Sequence, residues 1–481
     1  MRDSAFLVGL LGLASAALTS GSPAHGDVLY TIADLTPDGY TSSIAFDVNA
    51  SGDAVGLASR FVGGSPEEAY FVYDRGTQTS TVFGVGSIIP RSSIVGTGFR
   101  DAAINDDGIV VGSARFVGGA SETRGFTYDG AAITSLGTFF QGPGTGSNIR
   151  PDSDAMDINA TGVVAGNASS GRATSDNRDL YTATAAPIND FDGDLTAATA
   201  RDVGRAINNL GQVAGSNQDA KATLFSAGGA ETVLLADTGF ASEGSSATDL
   251  NELGQVTVNA NTSNTALVYS SATESITTIP QIGTGGRMKA NGINESGDVV
   301  GVGDRDGGLS GQARGFFYDA SEDTSVILED RIVDKSVPAI DGLGDWERLR
   351  DAWAVNDSGW IVGEGERRFD GETFPNPRAY LLIPQDFTTG DYNASGLVEQ
   401  GDLNLVLTNW GSDTASVGVP SGWINDLPVG IIDQAELNKV LTNWGDASTS
   451  PLIGLAIPEP AGLAAAAMGL LGLARRGRNR G

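Results

Sequence analysis

A series of oxygen-bearing side chains that starts at residue 391 has the spacing of a calcium-binding loop. Side-chain oxygens occur at loop positions 1, 3, 5, 9 and 12, Gly396 makes the sharp turn at position 6, and position 7 offers its backbone carbonyl. Calcium takes about six to eight oxygen ligands at flexible distances, which this spacing can wrap around one ion. The alternative interpretation is a solvated acidic turn without an ion. The predicted ligands are Asp391, Asn393, Ser395, Leu397, Glu399 and Asp402.

The same loop-and-helix unit recurs 34 residues further along the chain, where the segment 441–445 matches 407–411. Oxygen-bearing side chains remain at positions 1, 9 and 12 of the second loop, as Asn425, Asp433 and Glu436. Positions 3 and 5, however, are Leu427 and Val429. Because two side-chain oxygens are lost, the sequence predicts weak calcium binding or none in the second loop.

Each loop is followed by a predicted helix with apolar residues on one face. In the first helix this face is predicted to consist of Leu403, Leu405, Val406, Leu407 and Trp410. After Pro384 the sequence pattern changes from short strands to loops followed by helices. Residues 388–446 are therefore predicted to form a small module of their own.

Two residue types that many catalytic sites use are missing or nearly missing. The chain has no Cys, and His25 near the N-terminus is its single His. Thiolate sites, disulfides, Ser-His-Asp triads and multi-His metal sites are therefore excluded. Paired carboxylates need neither residue, so a polysaccharide-acting hydrolase or lyase remains the alternative function.

Acidic clusters outside the calcium loop give little support to that alternative. The segment 341–348 combines acids with Trp346 and is the nearest approach to a sugar subsite, while the clusters at 190–194 and 304–307 are interpreted as solvated loops. Because no repeat of the chain carries a distinctive group of acids with aromatics, the sequence predicts that the protein is not an enzyme.

Charge and composition limit the partners of this chain. The formal net charge of −30 over 481 residues leaves no basic surface for phosphates, so nucleic-acid binding is not expected. The charge suits a soluble extracellular surface, cation binding, or both. Apolar residues make up 40% of the chain, which is enough for a substantial core without disulfides.

Both ends of the chain are predicted to be sorting segments. Residues 1–26 have a basic start, an apolar stretch and small residues near Ala24, which is the layout of a secretory signal peptide. The other end, 457–481, joins a Pro-Glu-Pro to a 14-residue apolar run and an arginine cluster. That run is short for a permanent membrane anchor, so transient membrane contact is expected, with a retained anchor as the alternative. Residues 447–456 are predicted to be a linker.

The middle of the chain contains seven copies of one pattern. Each copy has a strand that ends in an Asn-x-x-Gly turn, a second strand, an aromatic third strand and a short fourth strand. Asn tolerates turn geometry and Gly supplies a positive φ, so the repeated Asn is interpreted as a turn residue rather than a ligand. The seven turns are 49–52, 105–108, 159–162, 208–211, 251–254, 294–297 and 356–359.

Four short strands in each unit predict an all-β fold, a seven-bladed β-propeller over residues 27–384, with an open β-solenoid as the alternative. The segment Val28–Leu35 reads as a fourth strand, and the last repeat ends at Ile383 without a fourth strand of its own. The N-terminal strand is therefore predicted to complete the last blade and close the ring.

Three families resemble parts of this chain. The repeats resemble the HAF repeat of extracellular proteins, although Glu68-Ala69-Tyr70, Arg124-Gly125-Phe126 or Arg378-Ala379-Tyr380 stands where that repeat has His-Ala-Phe. Residues 388–446 are similar to a type I dockerin, which implies calcium binding. Gln400-Gly401 and Gln434-Ala435 stand where dockerins commonly present a Ser-Thr-like pair to cohesins. The tail resembles a PEP-CTERM signal, which implies processing by an exosortase in a Gram-negative bacterium that makes extracellular polysaccharide.

Taken together, the sequence predicts an exported structural or binding protein of the cell surface or extracellular matrix. Calcium is its expected cofactor, an exosortase its processing partner, and an extracellular polysaccharide or a surface protein its expected ligand.

Overall fold

The computed structural model describes most of the central region and parts of the C-terminal module. The described residues are 28–91, 101–118, 122–137, 152–169, 178–184, 189–190, 202–305, 313–332, 345–368, 375–385, 390–392, 397–414, 420, 423 and 431–446. The predicted signal peptide, linker and sorting tail therefore lie outside the described residues.

The strands of the central region follow one another as antiparallel meanders. Strand β1 (Leu29–Asp34) is followed by β2 (Ser42–Val48), β3 (Ala54–Val62), β4 (Ser65–Asp74) and β5 (Thr79–Phe83). Next come β6 (Ile88–Pro90), β7 (Ala102–Ile104), β8 (Val110–Phe116), β9 (Thr123–Tyr128) and β10 (Ile133–Gly137). The third meander contains β11 (Ser153–Ile158), β12 (Val164–Ser169), β13 (Arg178–Ala183) and β14 (Asn189–Asp190).

The second half of the ring repeats this arrangement. The fourth and fifth meanders are β15 (Val203–Ile207), β16 (Val213–Ser216), β17 (Ala222–Phe225), β18 (Glu231–Val233), β19 (Ser245–Leu250), β20 (Gln255–Ala260), β21 (Thr265–Ser270) and β22 (Ser275–Thr278). The last two contain β23 (Met288–Ile293), β24 (Val299–Asp304), β25 (Ala313–Asp319), β26 (Thr324–Ile327), a 3-10 helix (Leu328–Arg331), β27 (Asp345–Val355), β28 (Ile361–Arg368) and β29 (Asn376–Gln385).

Among the described residues these strands form seven sheets, one for each repeat. The first strand of each repeat is the inner strand, and it contacts the inner strand of the next sheet around the ring. The ring is closed, because β27 of the seventh sheet also contacts β2 of the first. The predicted seven-bladed propeller is thus confirmed, and the open solenoid is wrong. Blade 2 adds the short strand β6, which pairs with β8 beside β7 and was not predicted.

Strand β1 closes the ring as the sequence predicted. It pairs antiparallel with β29, with Ile32 opposite Leu382, and so completes the seventh blade as its outer strand. Asp34 at the end of β1 forms an ion pair with Arg367 of β28, at 2.9 Å between the guanidinium and the carboxylate. Both side chains are buried, and Arg367 has an exposed fraction of 0%. The two ends of the propeller are therefore joined by backbone pairing and by a buried ion pair.

The repeated turn has the local geometry that its sequence predicts. In all seven copies the Asn Oδ1 accepts a hydrogen bond from the backbone N–H four residues later, at 2.9 to 3.0 Å. The Gly that ends each turn has a φ between 71° and 85°, a conformation that favours glycine. The Asn side chain thus replaces a backbone acceptor and fixes the hairpin between the first and second strands.

Buried aromatic residues of the third strands form the core between blades. Phe126 packs over Gly112 of the neighbouring strand, where an added Cβ would lie 2.9 Å from the ring. The equivalent pair in blade 1 is Phe71 over Gly56, because the backbone register places Gly56 opposite Phe71. The aromatic position of repeat 1 is therefore one residue later than the Glu-Ala-Tyr alignment predicts.

The C-terminal module has two helices, α1 (Gln400–Thr408) and α2 (Gln434–Thr442), which contact each other. Its core contains Tyr392, Val398, Val406, Trp423, Ile432 and Val440. Leu403 and Leu405 pack against this core as predicted, but Leu407 and Trp410 are exposed, so that part of the predicted apolar face is wrong. None of the helices in the described part of the chain is long and apolar enough to span a membrane.

Candidate functional site

The first predicted calcium loop brings two carboxylates into the core of the C-terminal module. Asp391 and Asp402, loop positions 1 and 12, each have an exposed fraction of 0%. One carboxylate oxygen of Asp402 accepts a hydrogen bond from the backbone N–H of Glu399 at 2.8 Å. Burying two carboxylates in a small module is costly unless a cation or several donors balance their charge. This donor set of hard oxygens fits calcium.

The other predicted ligands of this loop are placed only in part. Glu399 is exposed and caps the N-terminus of α1, while the side chain of Leu397 is directed to solvent with an exposed fraction of 39%. A ligand that uses its backbone carbonyl leaves its side chain outside, which is compatible with the predicted role of Leu397. Asn393 and Ser395 lie outside the described residues. Among the residues that are described, no three acidic or His side chains converge on one point.

The second loop uses its acids to start a helix. Asp433 accepts a hydrogen bond from the backbone N–H of Ala435, and Glu436 accepts one from the backbone N–H of Asp433 at 2.9 Å. This reciprocal arrangement is a capping box at the N-terminus of α2. Asn425, Leu427 and Val429 lie outside the described residues, so the expected weakness of this loop stays a prediction.

The seven turns meet at one end of the central channel, where they line a cavity of about 220 Å³. We call this cavity the mouth and define it by the residue that follows each turn Asn. These residues are Ala50, Asp106, Ala160, Asn209, Glu252, Glu295 and Asp357. Four of them are acids, so the mouth is an open, polar and negatively charged concavity to which every blade contributes.

Side-chain amides join the blades below the mouth in a closed ring of hydrogen bonds. The Nδ2 of each turn Asn donates to the backbone carbonyl of the equivalent Asn in the next blade, at 2.9 to 3.4 Å. The ring is complete, since Asn356 of blade 7 donates to Asn49 of blade 1. Sequence reasoning found the turns but missed this second role of the amide.

The mouth residues form a second set of bonds between blades. The backbone N–H of Ala50 donates to Asp106 at 2.9 Å, and that of Glu252 donates to Glu295 at 2.8 Å. The same bond recurs from Glu295 to Asp357 at 2.9 Å. The pKa of Glu295 is raised because burial disfavours its charge, although the backbone N–H of Glu252 opposes the shift. The mouth carboxylates thus serve as acceptors for the neighbouring blade.

Two further acids lie between blades, the buried Asp101 and the partly buried Asp351, at positions that sequence reasoning did not single out. Burial raises the pKa of Asp351 to about 8, and the nearby Glu364 carboxylate adds to the shift. Asp351 lies directly opposite Glu364 in the strand pairing, and it accepts a hydrogen bond from Asn291 Nδ2 at 2.7 Å. Burial also raises the pKa of Asp101 to about 7. These acids hold or release a proton near neutral pH.

The segment that looked closest to a sugar subsite does not present its aromatic ring to solvent. Trp346 is buried in the core of blade 7, with its ring 5.9 Å from the guanidinium carbon of Arg367. It packs edge-on against Tyr380 at 6.2 Å between ring centroids. Residues 341–344 lie outside the described residues. The role of Trp346 is therefore packing.

Sequence comparison connects only the beginning of the chain to a known family. The family model described as "Protein of unknown function (DUF3466)" matches residues 20–136, which is less than half of the chain. These residues include blades 1 and 2 and strand β1. No curated protein matches the chain in sequence.

Comparison with solved structures finds similarity to proteins with different activities. A puromycin-hydrolysing peptidase of Mycobacterium tuberculosis is 13% identical, with a TM-score of 0.42, covering 71% of this chain and 56% of the peptidase. YCF48 bound to D1 peptide is 10% identical, with a TM-score of 0.38, covering 74% of this chain and 96% of that protein. A luciferin-regenerating enzyme is 12% identical, with a TM-score of 0.30, covering 74% and 95% of the two chains.

The expectation that this protein is not an enzyme is corrected by this comparison. The structures to which the chain is similar include a puromycin-hydrolysing peptidase and a luciferin-regenerating enzyme. The chain spans just over half the length of the peptidase, and the activities of these proteins are their own.

Proposed function

We propose that this chain is an exported binding protein of the cell surface or extracellular matrix, whose propeller holds its partner at the mouth. The observation that carries the proposal is the mouth itself, a polar concavity of about 220 Å³ built from the same turn of all seven blades. Loops gathered on a rigid ring are a common location for binding sites. An extracellular polysaccharide or a surface protein is the expected partner.

The two ends of the chain support the exported location. A leader at 1–26 directs the chain across the membrane, and the PEP-CTERM-like tail at 457–481 is a substrate for an exosortase in a Gram-negative host. The HAF-like repeats between them are typical of extracellular proteins.

Export and processing are tested by expressing the full chain in a Gram-negative bacterium that makes extracellular polysaccharide and an exosortase. Mass spectrometry of the surface fraction is expected to find a chain that begins after Ala24 or Gly26 and lacks the arginine cluster. Pro458→Ala together with Pro460→Ala should retain the tail, whereas the matched linker variant Pro451→Ala should be processed normally. An intact chain from Met1 to Gly481 in the cytoplasm would contradict the proposal.

Calcium is proposed as the structural cofactor of the dockerin-like module. The fully buried carboxylates of Asp391 and Asp402 support this assignment, since a bound cation offsets the cost of burying their charge. Asp391, Asn393, Ser395, Leu397, Glu399 and Asp402 are the residues that would hold the ion. Its expected effect is to fix the loop against α1, so that chelation lowers the melting temperature of the module.

A second candidate function is a polysaccharide-acting hydrolase or lyase that uses paired carboxylates. The observation that favours it is the opposed pair of Asp351 and Glu364, in which the raised pKa of Asp351, about 8, keeps a proton available at neutral pH. Glycoside hydrolysis needs one such acid and one carboxylate close together. Turnover of a sugar polymer by the wild type that is lost in Asp351→Asn and in Glu364→Gln would support it, whereas binding without turnover across a polymer panel would contradict it.

A further inference from the structure

The same five residues, Leu-Thr-Asn-Trp-Gly, span the C-terminal end of each helix of the C-terminal module, and most of them face solvent. Leu407 and Leu441 both have an exposed fraction of 54%, and Trp410 and Trp444 both have one of 47%. Thr408 and Thr442 are exposed as well. The two halves of the module therefore present the same surface twice.

Backbone pairing places the two copies in equivalent surroundings. Gly411 donates its N–H to the carbonyl of Ile432 at 2.8 Å, and Gly445 donates to the carbonyl of Val398 at 2.9 Å. Each helix end thus lies beside the loop of the other half. The aliphatic side chain next to each contact is also exposed, at 59% for Ile431 and 39% for Leu397.

The repeated surface cannot be explained by the core of the module. The two loops have diverged, because Asn393 and Ser395 of the first are replaced by Leu427 and Val429 in the second. The exposed residues at the helix ends have nevertheless stayed identical. About half of each indole is exposed, in the same segment as an exposed Leu, and leaving this apolar surface in water costs solvation free energy, so its occurrence in both halves indicates a binding role.

The chemistry of the two surfaces fits a neutral sugar. The segments 407–412 and 441–445 contain no charged residue, and the only charged residues that directly follow them are the acids Asp413 and Asp446. An indole face stacks against the C–H face of a pyranose ring, and a Thr hydroxyl can exchange hydrogen bonds with the sugar hydroxyls. An anionic ligand would find no basic side chain in these segments, whereas the flanking carboxylates can accept hydrogen bonds from sugar hydroxyls.

Two equivalent sites on one small module favour a ligand that is itself a repeat. A polymer offers the same unit many times, so one chain can occupy both sites and gain avidity from the second contact. We propose that the surfaces Leu407-Thr408-Trp410-Ile431 and Leu441-Thr442-Trp444-Leu397 are two equivalent subsites for a neutral polysaccharide. This proposal rests on the proposed binding function and assigns part of it to a site outside the propeller.

The test uses the full mature chain in calcium-containing buffer, titrated calorimetrically with soluble neutral probes. The probes are dextran, galactomannan and xyloglucan, together with their short oligosaccharides. With the oligosaccharide of the polymer that binds, the wild type should bind two molecules per chain, Trp410→Ala or Trp444→Ala should bind one, and the double variant none. With the polymer, each single variant should lose about tenfold or more in affinity, because avidity is lost.

A matched control is Phe61→Ala, which removes a propeller side chain with an exposed fraction of 74% and should bind like the wild type. Equal melting temperatures would show that the Trp variants are folded. The proposal is overturned if the double variant binds the polymer as the wild type does, which would leave the general binding function intact. It is equally overturned if no neutral probe binds, or if the Trp surfaces prove to drive self-association in sedimentation experiments. Export and tail processing are read out separately, so failure here and failure of the proposed function can be told apart.

Discussion

The Asn side chain of each Asn-x-x-Gly turn belongs to two blades at once. Its Oδ1 accepts hydrogen bonds inside its own turn, while its Nδ2 donates to the next blade. The first role could be predicted from the sequence, because both partners lie within four residues of each other. The second could not, because the acceptor lies 43 residues away for Asn208 and 307 residues away for Asn356.

Substitution at Asn208 separates these two roles. Asn208→Ala removes bonds to the backbone N–H groups of Leu210 and Gln212 and to the carbonyl of Asn251, and should lower the free energy of unfolding by about 1–3 kcal/mol. Asn208→Asp keeps the acceptor, but it loses the donors to the carbonyl of Asn251 and to Gln212 Oε1 and places a buried carboxylate against these two oxygens, so a loss at least as large as that of Asn208→Ala is expected at neutral pH. Urea-induced unfolding of both variants measures the difference. Equal stability of Asn208→Ala and the wild type would contradict the role of the ring.

Asp351 gives the stability of the propeller a predictable dependence on pH. Burial and the Glu364 carboxylate raise the pKa of Asp351 in the folded chain to about 8, while Asn291, Arg287 and Arg350 act to lower it. The unfolded value is about 3.9, so between about pH 4 and 8 the folded chain holds a proton that the unfolded chain has lost. The free energy of unfolding should therefore fall as the pH rises through this window.

The variant Asp351→Asn carries a neutral amide in place of the protonated acid and should flatten this part of the profile. We expect it to match the wild type near pH 4 and to exceed its free energy of unfolding by more than about 1 kcal/mol at pH 8.5, which corresponds to one unit of pKa shift. Urea midpoints across the pH range provide the measurement. A difference that grows toward acid would show that the sign of this argument is wrong.

At the scale of elements, closure of the ring depends on β1. Its pairing with β29 could be predicted, because the leftover strand at one end of the repeat region matched the missing strand at the other. The ion pair of Asp34 with Arg367 could not be predicted, since the residues are 333 positions apart and neither belongs to a repeated motif.

The exposed helix ends of the C-terminal module were also not predicted from the sequence. The helical spacing shows which residues are apolar, but Leu407 and Trp410 stay exposed, and no helix or strand in the described part of the module covers them.

Breaking the buried ion pair should destabilise the propeller much more than breaking one at the surface. Asp34→Ala leaves Arg367 buried beside an empty acceptor position and should cost about 3–5 kcal/mol. The control is Glu67→Ala, which removes the partner of Arg60 in a pair with side chains about one-third exposed and should cost less than about 1 kcal/mol. Thermal or urea unfolding compares the two. Similar losses for both variants would mean that the closure does not depend on this pair.

At the scale of the whole molecule, the repeat was the most informative feature of the sequence. Seven copies of a four-strand unit have few ways to bury their apolar faces, and a closed ring leaves no open edge between the first and last blades. Composition was a poorer guide to catalysis. Composition shows which nucleophiles are missing, but it does not show which carboxylates the fold will keep protonated. The raised pKa values of Asp101 and Asp351 could be found only from the structure.

Calcium binding to the full mature chain tests the assignment of the C-terminal module most directly. Isothermal titration should give one calcium ion per wild-type chain and a rise in melting temperature that is reversed by a chelator. Asp391→Asn should abolish this binding, while Asp433→Asn, which keeps a good helix cap in the second loop, should leave it unchanged. A wild type that binds no calcium, or an Asp391→Asn variant that titrates like the wild type, would contradict the account.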